Sequence, residues 1–155
     1  METILKSALR KFKSEKHIKN VLSGAWTKLF DEHGNELKGI RGRIGVYETK
    51  VDGTKIGVDL IEMSAGSAFP LHTHDGDHIL YGLSGNGMVH VDGTDHPMKP
   101  GDTVFIPAEY PHGVKTYSDA PESFVLLAFG HPHKKLEALD RMKLVTEPED
   151  NSHTH

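Results

Sequence analysis

The sequence predicts an all-β sandwich or barrel, and three observations predict it. Short runs of strand-forming residues recur from about residue 24 onward. Between them, 16 glycines and 8 prolines are scattered as turn punctuation. No long helical pattern interrupts the series, which is the signature of many short strands closing on themselves. A chain of 155 residues suits one domain with one proper core.

The elements follow in order. Residues 3–13, TILKSALRKFK, place Ile4, Leu5, Leu9 and Phe12 at helical spacing. This predicts a short amphipathic helix packed on the domain or on a partner subunit. Lys6, Arg10, Lys11 and Lys13 raise a membrane-surface or targeting helix as the alternative, against which Glu2 and Glu15 argue. Strands are expected at 26–30, 43–49, 55–63, 68–74, 78–83, 87–91, 103–106, 112–117 and 124–129. Asp52-Gly53 and Asp92-Gly93 are hairpin turns, because Gly there supports positive φ. After Gly130, HPHKKLEALDRMKLV has room for a helical turn or more before an acidic, polar tail. The expected organisation is a helical arm over 1–23, a barrel over 24–146 and a flexible tail over 147–155.

Composition excludes several function classes. With 22 acidic against 18 basic residues and a net charge of -4, nothing favours nucleic acid as a partner. The absence of cysteine removes disulfides and thiolate metal ligands. No apolar run reaches transmembrane length and the N-terminus lacks a signal-peptide core, so the expectation is a cytoplasmic protein without a membrane partner.

The chemistry concentrates in Gly66-Ser-Ala-Phe-Pro-Leu-His72-Thr-His74-Asp-Gly-Asp-His78. Histidines at i and i+2 of a strand share a face, so His72 and His74 can meet one ion. Asp75-Gly76-Asp77 is turn chemistry that folds His78 back beside them. His112 opens a later strand just after Pro107-Ala-Glu-Tyr-Pro111. Neutral imidazoles are the commonest ligands for Zn, Fe, Mn, Ni and Cu. The plain alternative, a histidine-rich surface hairpin, does not require the glycines at their spacing.

These residues resemble the two motifs of the cupin superfamily, in its small single-domain form. Gly66, His72, His74 and Gly85 fall in register with the first motif, and His78 occupies its glutamate position. Gly101, Pro107 and His112 match the second, with Glu109 where a glycine is usual and Thr116 where an asparagine often stands. The resemblance implies a double-stranded β-helix (jelly-roll) barrel around a divalent transition metal held by His72, His74, His78 and His112. Exchanging a carboxylate for imidazole leaves the site one unit more positive, which favours an anionic ligand. Fe or Mn is favoured among Fe, Mn, Ni, Cu, Co and Zn, since a six-coordinate ion keeps open positions, whereas tetrahedral Zn on four histidines is closed.

Fold does not dictate reaction. The leading expectation is a dioxygenase-type oxidoreductase acting on a small anionic or oxygenated organic molecule. The alternatives are an oxygen-independent Lewis-acid isomerase, cyclase, lyase or decarboxylase, and a non-catalytic small-ligand or metal-binding module. Glu109 and Tyr110 are the acid–base candidates, against the reading that both are exposed loop residues. Asp75 and Asp77 are expected as turn formers and not ligands, with the orienting of a histidine as the alternative role for either. Tyr81 is expected in the core, Phe69, Phe105 and Phe129 in the core or pocket wall. His90, His96, His153 and His155 read as surface residues, and a second metal site at His131-Pro132-His133 is not adopted. A homodimer is expected from the family resemblance.

Overall fold

The computed structural model describes residues 11–145. One helical turn, α1 (Ser14–His17), precedes the strands β1 (Thr27–Phe30), β2 (Glu36–Thr49), β3 (Lys55–Met63), β4 (His72–Thr73) and β5 (Asp77–Ser84). These are followed by β6 (Gly87–Val91), β7 (Thr94–Met98), β8 (Thr103–Ile106), β9 (His112–Thr116), β10 (Phe124–His131) and β11 (Lys143–Leu144). A 3-10 turn at Leu139–Arg141 lies between β10 and β11. Most of the helix expected at 3–13, and the whole 147–155 tail, lie outside the described residues.

Two antiparallel sheets face one another. One runs β1-β2-β3-β10-β5-β8 and the other β11-β4-β9-β6-β7. From β3 onward nearly every connection crosses between the sheets, so the chain winds as a double-stranded helix of strands: a jelly roll. Alternation then sends one side of each strand inward. In β10 the inward set is Phe124, Leu126, Ala128 and Gly130, all buried. Phe124, Met63 and Leu136 are completely covered and anchor a core that also holds Leu29, Ile61, Leu80 and Val114. Burying each such side chain contributes roughly 1.5–3 kcal/mol.

Three strands differ from expectation, each for a physical reason. β2 begins at Glu36 and not at Arg43, because β1 and β3 pair with it on both sides (Phe30 with Glu36, Ile40 with Met63). Ladder pairing there overrides a weak apolar pattern. β4 shrinks to His72–Thr73, since Pro70 has no N–H to give a ladder. β7 carries Pro97 within it, tolerated because β7 is the edge of its sheet.

The outward face also corrects the aromatic assignments. Phe69 is core, but Phe105 is 58% exposed, and Phe129 and Tyr81 also face outward. Tyr81 does oppose His78 in facing, yet the opposite face of β5 is the outside of the barrel.

Candidate metal centre

β4 and β9 are neighbours in the five-stranded sheet, and their register sets His72 directly across from His112. His74 follows β4 on the same face. One donor nitrogen from each of His72, His74 and His112 lies within 4.8 Å of the others, and all three residues are buried. The ring of His72 sits 4.3 Å from that of His112 between centroids, and that of His74 sits 4.7 Å from it.

Backbone carbonyls aim these rings. His72 Nδ1 donates to Pro70 O at 2.7 Å, His74 Nδ1 to Gly76 O at 2.9 Å and His112 Nδ1 to Tyr110 O at 2.9 Å. A carbonyl only accepts, so each Nδ1 carries the proton and each Nε2 presents a lone pair. Asp75 and Asp77 are thus not the orienting groups. Asp75 pairs with Lys134 at 3.6 Å, and Asp77 Oδ1 accepts from the Ala108 amide at 2.8 Å.

The protonation states agree with this. Burial holds His72 well below the ordinary imidazole range, with the neighbouring His112 adding to the effect. Burial also lowers His74, and pushes His112 down to about 4. The cluster is therefore neutral near pH 7.

A divalent cation fits this arrangement. His74 Nε2 and His112 Nε2 face each other at 3.2 Å, with both protons already committed to carbonyls. Two lone pairs at that distance repel unless something positive lies between them. Nitrogens sharing one ion at about 2.1 Å each stand roughly 3.0–3.4 Å apart. The donor set thus has the spacing, neutrality and orientation that a transition metal needs.

His78 is placed differently from the other three. It reaches in from β5 of the opposite sheet, and its ring stacks on His74 at 3.7 Å and 15°. Its Nε2 lies against Gly130, the residue opposite in β10, where an added methyl would come within 3.3 Å of that nitrogen. Among the described residues the convergent set is His72, His74 and His112, and the expected four-histidine set is met in three. Burial, with His74 next, pushes His78 down to about 2.

Glu109 and Tyr110 separate. Tyr110 turns its hydroxyl to Asp92 in the β6–β7 turn, donating at 2.7 and 2.9 Å. It serves the centre through its carbonyl alone, and its ring lies off the cavity. Glu109 lines an open cleft of about 440 Å³ that also touches His74, Thr73, Lys134 and Lys143. Its amide donates to His74 O at 2.8 Å, and its φ is 64°. That left-handed conformation explains why a glycine is usual at this place in the motif, since a side chain there costs about 1–2 kcal/mol. Glu109→Gly is expected to raise stability by up to about 1 kcal/mol in chemical denaturation, part of the relief being offset by a freer unfolded chain. A loss of turnover in the same variant would mark the carboxylate as functional; unchanged turnover would remove Glu109 from the chemistry.

Two charged groups near the centre, Asp59 and Arg141, carry no signal in the sequence. Asp59 and His133 form a buried pair at 2.9 Å, with Asp59 Oδ1 left without a partner among the described residues. Arg141 lines the cavity beside the histidines. Only the pattern D-x-I in β3 and the isolated Arg after a loop preceded them, and neither signals an inward charge. His131 binds Lys50 and Thr54, each at 3.1 Å, so it and His133 do not converge.

Comparison with known proteins places this geometry. Residues 59–128 match the family model described as "Cupin domain". The polyketide cyclase RemF of Streptomyces resistomycificus superposes with a TM-score of 0.63 at 19% identity, over 85% of this chain and 87% of that one. A cupin-2 domain protein of Rhodospirillum rubrum superposes with a TM-score of 0.63 at 18% identity, over 93% and 88% of the two chains. These identities speak to the fold alone. The dimethylsulfoniopropionate lyase DddQ of Ruegeria pomeroyi is 36% identical over 61 residues, 37% of this chain and 29% of that protein. An oxalate-binding protein of Thermotoga maritima is 32% identical over 66 residues, 42% and 54% of the two. The aligned parts span from 29% to 62% of the curated relatives they match. Residues 59–128 are thus similar to a cupin domain, and the superpositions support the jelly-roll fold.

Proposed function

We propose that this chain, with its cupin domain at 59–128, is a metal-dependent enzyme that acts on a small anionic organic molecule without dioxygen. The observation that carries the reading is the facing pair of Nε2 lone pairs at 3.2 Å, completed by His72. A divalent ion held there supplies Lewis-acid polarisation of a substrate oxygen. The carbonyls of Pro70, Gly76 and Tyr110 keep the three imidazoles neutral and aimed. Glu109, at the cleft that shares His74, is placed to take a proton from substrate and return it. His78 is the fourth donor, reached by rotating its ring away from Gly130. Relatives named as dimethylsulfoniopropionate lyases favour lyase chemistry over oxidation.

The dioxygenase reading draws its own support from a three-histidine set, which leaves positions open on a six-coordinate ion. Metal analysis and oxygen uptake divide the two. Protein purified without added metal and reconstituted in turn with Fe, Mn, Co, Ni and Zn is screened against small carboxylates under air and under argon. Equal turnover in both atmospheres supports the Lewis-acid enzyme. Oxygen consumption matched to product overturns it, and binding without turnover by any metal leaves a binding module.

A homodimer is part of the same proposal. Ile79, Phe105 and Phe129 are adjacent in register on the outer face and are all exposed, an apolar stripe that a second copy would cover. Sedimentation as a monomer at tens of micromolar would remove it. Among the described residues no helix is long and apolar enough to cross a membrane.

A further inference from the structure

Arg141 ends the 3-10 turn at Leu139–Arg141, and β11 begins two residues later. β11 is pinned to β4, with Lys143 opposite Thr73 and Leu144 opposite His72. The arginine is thereby tethered to the strand that carries the metal ligands. Its side chain lines a cavity of about 30 Å³ with His72, His74, His78 and His112. It also lines a smaller void of about 10 Å³ toward Asp59 and His133.

The guanidinium has no hydrogen bond or ion pair among the described residues. Desolvation opposes its charge, and among the described residues the field of Asp59 is what favours it. Lys134, seven residues earlier, offers a contrast, because it is paired with both Asp75 and Asp140. An arginine with five donors is not left idle inside a protein without cost. The positive field of Arg141 also reaches all four histidines. A cavity that offers neutral donors to a divalent cation beside an unpaired guanidinium carries positive charge that no group among the described residues pairs with. Asp59 is turned to His133 at 2.9 Å.

We propose that Arg141 is the anion receptor of this site, and that its ligand is a small planar carboxylate. The proposal rests on the metal reading above and names the substrate group it selects. A guanidinium fork matches a carboxylate edge to edge, with two parallel N–H···O bonds. The inner cavity, about 30 Å³, is small enough to favour a carboxylate head over a bulkier group. The rest of the substrate lies in the 440 Å³ cleft, which meets the inner cavity at His74 and whose wall includes Leu139, Asp140 and Met142. Arg141 is a specificity-determining residue, and the segment carrying it divides the two spaces.

The test is calorimetric titration of malonate, inorganic phosphate and neutral malonamide into wild type, Arg141→Gln and Arg141→Lys. Each protein is titrated both metal-loaded and metal-free, with bound metal assayed in every sample. Wild type is expected to bind malonate, and malonamide at least tenfold more weakly. In Arg141→Gln malonate affinity should fall at least tenfold while metal content stays within twofold, since charged hydrogen bonds carry that much. Lysine should recover part of the loss, keeping the charge without the fork. The melting temperature of ligand-free Arg141→Met should stay close to that of wild type, because the half-buried guanidinium makes no bond to the described residues that the substitution would break.

Malonate affinity unchanged in Arg141→Gln, or no malonate binding by wild type, overturns the proposal. Phosphate bound more tightly than malonate overturns the carboxylate assignment. If no protein takes up metal, the metal reading falls by itself, and Arg141-dependent malonate binding in the metal-free series still decides this one.

Discussion

Replacing His112 with glutamine is expected to weaken divalent-metal binding by at least about 100-fold while the barrel stays folded. Groups that merely orient a ligand cost roughly 10–100-fold when removed, so a donor nitrogen costs more. His112 is the sharpest choice, since its Nε2 faces that of His74 and its Nδ1 is held by Tyr110 O. Glutamine fills similar space without an imidazole lone pair. Isothermal titration with Co or Mn, alongside circular dichroism, reads affinity and fold separately. Wild-type affinity in the variant would sink the three-histidine centre. Two further variants rank the fourth position. His78→Glu, which restores the glutamate of the cupin motif that the sequence resembles, should change metal affinity or activity if His78 ligates. Indifference in both would leave His78 as the packing partner of His74 seen in the stacked rings.

The second large effect is on stability in mild acid. Burial lowers His72, His74, His78 and His112, with His78 pushed down to about 2 and His112 to about 4. Unfolded, each returns to about 6.5. Above that pH both states are neutral and the histidines contribute nothing to the pH dependence. Below it the unfolded chain takes up protons that the folded chain refuses, so stability falls as pH falls. Each histidine contributes a slope of at most about 1.4 kcal/mol per pH unit. The carboxylates act lower: Glu48, drawn down to about 2 chiefly by its hydrogen bond from His17, loses its contribution only below its ordinary 4.5. The window from pH 6.5 to 4.5 therefore belongs to the histidines. Urea denaturation of chelator-treated protein at pH 7.5, 6.0 and 5.0 should show a steep loss, shallower by about one proton in His78→Gln. A flat profile across that window would mean the rings are solvated in the metal-free protein.

Much of this was legible from residue order. The Gly66 to His78 motif and the Gly101 to His112 motif placed the donors in sequence, and period-two alternation explains why His72 and His74 share a face. The β3, β6 and β8 boundaries followed from apolar runs between turn residues, and Asp92-Gly93 from the demand for positive φ. Glu109 was visible as a departure from the motif, although only its φ of 64° shows what the departure costs.

Other features required the folded chain. Whether His78 meets the other three depends on the approach of two sheets, and no spacing within one strand encodes the rotation of a ring against Gly130. Tyr110 and Glu109 are neighbours in sequence, yet one turns to Asp92 and the other to the cleft, because the left-handed turn at Glu109 redirects the chain. The outward facing of Phe105 and Phe129 was likewise undecided, since alternation says which residues share a face and not which face is inside.

By itself, the sequence determined an all-β sandwich or barrel through its local periodicity, and its resemblance to the two cupin motifs supplied the jelly-roll form and the histidines of the candidate metal centre. Only the tertiary structure decided the three-plus-one arrangement of histidines and the entry of Arg141 and Asp59 into their surroundings. These are contacts between segments distant in the chain, and their geometry depends on how sheets pack and on where desolvation leaves a charge.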